Sequence, residues 1–137
     1  MIKAAKIVLI NPEKKILLYL RDNKRSIPHP NYWDLFGGKT EKNESYLQSV
    51  IREVKEEIID YSPRNIKKIG CLTLSKDKDG IEAIVHIFSG SIDIPIQKVI
   101  ITEGQKAKYF SIKDLEKIKF APYYKEFIFK NLDKFGL

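Results

Sequence analysis

The sequence predicts an α+β fold: a mixed β-sheet covered by helices, all in one domain spanning residues 1–137. Three observations carry this. Apolar segments of strand length fall into two groups, separated by one long stretch with helical period. Two shorter helical patterns follow the second group. The predicted order is then β-β-β-α-β-β-β-α-α, in which helices must bury their apolar stripes on a sheet. No internal repeat, low-complexity tract or linker interrupts the 137 residues, a length that supports a real core.

Ala4 to Ile10 is apolar enough for a strand, and Ile16 to Leu20 for a second. Asn11-Pro12-Glu13-Lys14 between them is turn chemistry, so the two pair as a hairpin. Arg21 to Asn31 is polar, holds Pro28 and Pro30, and is long enough for a functional loop. Tyr32 to Phe36 is a short extended segment leading into Gly37-Gly38. Trp33 within it is read as core packing. Ile66 to Leu74 and Ile81 to Ile92 read as strands joined by the turn-rich Lys76-Asp77-Lys78-Asp79-Gly80. His86, in strand alternation with Ile84 and Phe88, is read as structural. Lys106 to Phe110 is a short strand, and Ser111 to Ile118 a short helix opened by Ser111. Tyr124, Phe127, Ile128, Asn131 and Leu132 are spaced as a last helix after Pro122.

The central helix carries the chemistry. Ser45 with Gln48 three residues on forms a capping box. Leu47, Ile51, Val54 and Ile58 form one apolar stripe by spacing. Glu53, Glu56 and Glu57 are related by i,i+3 and i,i+4 and share another face. Like charges at that spacing destabilise a helix, and a cation reverses the sign. An all-oxygen ligand set suits Mg²⁺ or Mn²⁺. Arg52, one turn before Glu56, can hold a carboxylate in place. Gly37-Gly38 ahead of the helix lets the backbone approach a ligand closely. A Glu-rich face taken alone is ordinarily just solvated surface.

The full spacing says more. Gly38, five residues, Glu44, seven residues, then Arg52-Glu53-Val54-Lys55-Glu56-Glu57 resembles the Nudix box. The likeness departs at its end, where Ile59 stands for the family's Gly and Asp60 for its aliphatic residue. Ile resists the left-handed conformation that such a Gly supplies, so Ser62-Pro63 is a second place for the helix to stop. More loosely, Glu103-Gly104-Gln105, Tyr109-Phe110 and Phe120-Ala121-Pro122 look like the C-terminal half of the MutT-type nucleoside triphosphate pyrophosphohydrolases. Tyr123 and Tyr124 stand where those enzymes place a purine-reading Asn, which argues against oxidised-guanine specificity.

The resemblance implies a Nudix α/β/α sandwich and a divalent cation, Mg²⁺ or Mn²⁺. It assigns Glu53, Glu56, Glu57 and the Gly37 carbonyl to the cation. Arg52 then orients Glu53, while Glu44 braces the loop or acts on water. Glu53 and Glu103 are the two candidates for the base. Trp33-Asp34-Leu35-Phe36 moves toward the substrate pocket. This puts Asp34 and Phe36 among the substrate-binding candidates, with Gly38 for backbone approach and Arg21, Lys39 and Arg25 for phosphates. The implied substrate is a small-molecule nucleotide, first a (deoxy)nucleoside triphosphate. The alternatives are nucleotide-sugar, ADP-ribose, dinucleotide or RNA-cap pyrophosphatases, and a non-catalytic nucleotide- or RNA-binding module. Retention of Glu44, Glu53, Glu56 and Glu57 favours catalysis.

Composition bounds the rest. The net charge is +7, yet residues 41–60 are acidic, an island suited to a cation in surroundings that attract a polyanion. No basic run interleaved with aromatics argues for nucleic acid, so RNA is the less favoured partner. No apolar run approaches membrane-spanning length and the N-terminus lacks a signal-peptide pattern, so the expectation is a cytoplasmic protein, monomer or homodimer. The single Cys71 is expected to be an inert core thiol.

Overall fold

The computed structural model describes residues 1–75 and 82–137. The expected turn at Lys76–Gly80, and Ile81 of the following strand, lie outside the described residues. Seven strands form one sheet: β1 (Ile2–Ile10), β2 (Ile16–Leu20), β3 (Trp33–Asp34), β4 (Phe36–Lys39), β5 (Arg64–Leu74), β6 (Ala83–Ser91) and β7 (Lys106–Phe110). The main order is β3-β2-β1-β6-β5, with β4 added to β1 and β7 to β2. Among the described strand pairings β1–β6 is parallel and the others antiparallel, so the sheet is mixed as expected. Asn11 makes the β1–β2 hairpin turn by accepting from Lys15 N through its side chain (2.8 Å), while Lys14 takes a positive φ of 61°.

Strand alternation sorts β1 onto two cores. Ala5, Ile7 and Leu9 face helix α1 (Tyr46–Glu57) and pack with Val50, Val54 and Ile58. Ala4 and Val8 face the other side, against Tyr124 and Ile128 of α2 (Pro122–Lys130) and Phe135 of α3 (Leu132–Phe135). Helices thus cover both faces of the sheet. The single last helix expected from the sequence is broken at Asn131, whose ψ of 26° and φ of −126° leave the helical region. The short helix after Ser111 is a 3₁₀ segment, Lys113–Lys117.

Helix α1 starts as the sequence says: Ser45 Oγ accepts from Gln48 N, and Gln48 Oε1 accepts from Ser45 N. Its buried face is rotated from the expected stripe. Ser49, Val50, Val54 and Glu57 are buried, whereas Leu47 is 45% exposed and Ile51 only half-buried. The stripe expected from apolar spacing missed this because two polar residues occupy core-facing positions. Ser49 is satisfied there by Thr40 Oγ1, which donates to its hydroxyl at 2.9 Å, and Glu57 by a backbone amide described below. The helix ends at Glu57 without waiting for Ser62-Pro63. Ile58 is already extended and bridges to Ile101. The left-handed residue is Asp60, at φ 57°, one place beyond Ile59. Asp tolerates that conformation where Ile does not. Cys71 is exposed on the edge strand β5, which corrects the expectation of a core thiol.

Candidate functional site

Arg52 organises the outer face of α1. Its Nε and one terminal nitrogen donate to the two oxygens of Glu44, at 3.1 and 2.7 Å. The other terminal nitrogen donates to Glu53 Oε1 at 3.1 Å and reaches Glu56 Oε1 at 3.5 Å. A fifth contact runs to the Lys39 carbonyl at 3.2 Å. This forked geometry is available to a guanidinium and not to an ammonium. Glu44 also accepts from Glu41 N at 2.8 Å, so it ties the loop to the helix. The Arg52 hydrogen bond holds the Glu44 carboxyl down at about 2, and Glu44 in turn raises the Arg52 guanidinium above its ordinary value.

The glycine corner sits beside this network. Gly37 has φ 123°, and a Cβ there would strike the Ala5 carbonyl and come within 2.8 Å of Lys6 Cα, so only glycine fits. Its amide leaves the sheet ladder and donates to Glu57 Oε1 at 2.9 Å. Glu57 is buried, and burial pushes its carboxyl up to about 8. Lys6 and the Gly37 amide oppose that rise, whereas the nearby charges of Glu53 and Glu103 add to it. A Cβ on Gly38 would lie 2.7–2.9 Å from the three carboxylate atoms of Glu53. Glycine at this position is what admits that carboxylate.

Glu103 reaches the same corner from the far end of the chain. Thr102 N donates to the Glu57 carbonyl (3.0 Å) and Thr102 Oγ1 to the Glu56 carbonyl (2.9 Å), which fastens the loop to the end of α1. Gly104, at φ 82°, lies so close to β2 that a Cβ would meet the Leu20 carbonyl at 2.6 Å. Gln105 then donates from its side chain to the carbonyl of Arg21 (2.8 Å). Glu103 itself is exposed.

On the α2 side a cavity of about 600 Å³ opens next to the glycine corner, walled by Trp33, Tyr32, Tyr123 and Tyr124 with Asp34 and Arg21 among its polar groups. Asp34 Oδ2 accepts from Lys6 Nζ (3.3 Å), Tyr19 OH (3.3 Å) and Arg21 (3.2 Å), and its Oδ1 accepts from Leu35 N (2.8 Å). Trp33 both lines this cavity and packs edge-on to Phe110. Phe36 does not reach it: strand alternation turns its ring to the α1 side, where it is 1% exposed and packs on Tyr19. Lys39 is exposed and enters the network through its carbonyl, while Arg25 is exposed in the loop. His86 stacks on Tyr46 with ring centroids 3.5 Å apart, outside this site.

Among the described residues, no three acidic, His or Cys side chains converge as a ready-made cation cluster. The convergence expected of Glu53, Glu56 and Glu57 is not formed, because Glu56 stays exposed beside Arg52, Glu53 bonds Arg52 against Gly38, and the Gly37 amide holds Glu57 inward. The donor set still fits a hard divalent cation. It is all oxygen, Glu53 is seated in the space that a Cβ on Gly38 would fill, and Glu57 feels the charges of Glu53 and Glu103. The residue that sequence reasoning missed is Lys6. Its signal was a lysine in the middle of the apolar run Ala4–Ile10. Burial lowers its pKa, yet Asp34, Tyr19 and Glu57 outweigh that and leave it raised and charged.

Known structures share this architecture. The MutT protein from Methanosarcina mazei Go1 superposes with a TM-score of 0.79 at 24% identity, over 97% of this chain and 93% of that one. An Ap4A hydrolase from C. elegans, solved as a binary complex, gives 0.77 at 21% identity over 99% and 98%. The NUDIX domain of Shewanella oneidensis NrtR, in complex with ADP ribose, gives 0.76 at 20% over 96% and 86%. At these identities the likeness establishes the fold. No curated protein sequence matches the chain. The NUDIX domain family model matches residues 2–130, nearly the whole length, and the chain therefore belongs to the NUDIX domain family.

Proposed function

We propose that this protein hydrolyses a (deoxy)nucleoside triphosphate to the monophosphate and pyrophosphate, with the nucleoside in the aromatic cavity and the phosphates over the glycine corner. Membership of the family makes it a hydrolase of pyrophosphate bonds acting on nucleoside diphosphate derivatives. The observation that carries the finer reading is the adjacency of the two places. Lys6 lines the cavity and also donates to the Gly37 carbonyl at 3.4 Å, so a nucleoside in the cavity has its phosphates within reach of the carboxylates. A space of about 600 Å³ suits one nucleoside-sized ligand.

Glu53, Glu56, Glu57 and the Gly37 carbonyl would hold the divalent cation, Mg²⁺ or Mn²⁺. That cation supplies charge neutralisation at the phosphate oxygens and acidifies water. The chain's residues do the rest. Arg52 orients Glu53 and Glu44 through its fork. Glu53 or Glu103 takes a proton from the attacking water as its oxygen bonds to phosphorus, and the anhydride oxygen leaves on pyrophosphate. Arg21 lines the cavity, anchored to Asp34 and the Pro28 carbonyl, and its remaining N–H groups would meet the phosphates.

The test is a nucleotide screen with Mg²⁺ in which the nucleotide products are separated and quantified, with pyrophosphate released from triphosphates converted to phosphate and measured beside them. Nucleoside triphosphates should be the best substrates, and Glu53→Gln should lower kcat by ~10²-fold or more in a folded protein. Turnover of ADP-ribose, a dinucleoside polyphosphate or capped RNA in preference to triphosphates would overturn the substrate assignment. Near-normal kcat in Glu53→Gln would overturn the site.

A further inference from the structure

The lysine within β1 stands at a core-facing position. Position 6 shares its face of β1 with Ala4 and Val8, both core residues against α2. An apolar side chain there would avoid the desolvation that a buried ammonium requires. The side chain of Lys6 is 12% exposed and its three N–H groups are all used, on Asp34 Oδ2 (3.3 Å), the Leu35 carbonyl (3.1 Å) and the Gly37 carbonyl (3.4 Å). These three acceptors span the turn from β3 to β4, the segment that brings the chain from the cavity to the carboxylates. Gly37 pairs with Lys6 across the two strands, yet its amide is given to Glu57 and its carbonyl to the lysine. Gly37 is therefore held on both sides, its amide by the Glu57 carboxyl from α1 and its carbonyl by the Lys6 ammonium from β1.

We propose that Lys6 is a positioning residue that fixes the Gly37 carbonyl and, through its charge, weakens cation binding to the substrate-free protein. The inference rests on the assignment of that carbonyl and the neighbouring carboxylates to a divalent cation. A fixed positive charge hydrogen-bonded to an oxygen repels a dication approaching the same oxygen. The cation then binds strongly only together with the negative charge of a nucleotide's phosphates. Holding the carbonyl also keeps cavity and carboxylates in register, which is a matter of about 1 Å and of turnover rather than of binding.

The experiment measures Mn²⁺ binding to substrate-free protein by electron paramagnetic resonance, with kcat and KM measured separately, for wild type, Lys6→Met and Lys6→Gln. Neutralising the lysine should tighten Mn²⁺ by ~10-fold or more while kcat at saturating cation falls by ~10-fold or more. Lys6→Gln removes the charge but keeps two N–H donors, so it decides the charge question if Lys6→Met fails to fold. A purely structural lysine would lower both quantities together. Unchanged or weaker Mn²⁺ binding in the folded variants overturns the proposal, and tighter binding with unchanged kcat overturns the positioning role. The Mn²⁺ arm needs no substrate, so it stands even if the nucleotide screen finds no triphosphate turnover.

Discussion

Two adjacent glycines in this structure should respond to alanine in opposite ways. Gly38 has ordinary backbone angles, so alanine is admissible there; its new methyl would lie 2.7 Å from Glu53 Cδ and 2.8 and 2.9 Å from the carboxylate oxygens. Carbon atoms rest about 3.5–4.0 Å apart, so the carboxylate must retreat by ~1 Å. It sits at the end of a flexible side chain, and the retreat should cost ~1 kcal/mol or less of stability. A 1 Å misplacement of a catalytic group can cost ~10²-fold in rate. Gly37→Ala is different. Its φ of 123° is denied to alanine, and the methyl would meet backbone, the Ala5 carbonyl and Lys6 Cα. Both strain sources sit in the sheet, so ~3 kcal/mol or more of stability should be lost. The assay pairs urea unfolding with kcat at saturating Mg²⁺. Gly38→Ala should unfold near the wild-type midpoint with kcat down ~10²-fold. Wild-type kcat in Gly38→Ala, or equal destabilisation by both substitutions, would refute the placement of Glu53 against Gly38.

Arg52→Lys should keep its charge and lose the fork to Glu44, Glu53 and the Lys39 carbonyl, lowering kcat ~10-fold or more with little change in unfolding midpoint; unchanged kcat would show that charge alone suffices. In chelator, stability should fall as pH rises from about 4.5 toward about 8, because folded Glu57 holds a proton that the unfolded chain has lost. The slope is at most ~1.4 kcal/mol per pH unit, and thermal melts across that range with and without Mg²⁺ check it, the cation reducing the loss. Cys71 should react with a thiol reagent in the native protein, because it is exposed, and its alkylation should leave kcat unchanged; loss of activity without unfolding would place it in the site.

The sequence by itself determined a good deal here. The α+β class, the β1–β2 hairpin, the Ser45 capping box and the family spacing from Gly38 to Glu57 are all local signals, set by period, turn chemistry or residue separation. The tertiary structure decided what depends on partners distant in the chain. Spacing put Glu53, Glu56 and Glu57 on one face, but the sheet took Glu57 inward to the Gly37 amide while Arg52 holds Glu53 against Gly38 and Glu56 at the surface. The buried stripe of α1 turned for the same reason, since Glu57 and Ser49 are soluble in the core only where a backbone amide and Thr40 wait for them. Phe36 went to the α1 core and its neighbour Leu35 to the α2 core because alternation separates faces, which no composition reveals. Lys6 passed unread in an apolar run, and the β3–β4 corner supplies its three acceptors. A buried charge is read only from what surrounds it, and for Lys6 every hydrogen-bond acceptor lies 28 or more residues away in sequence.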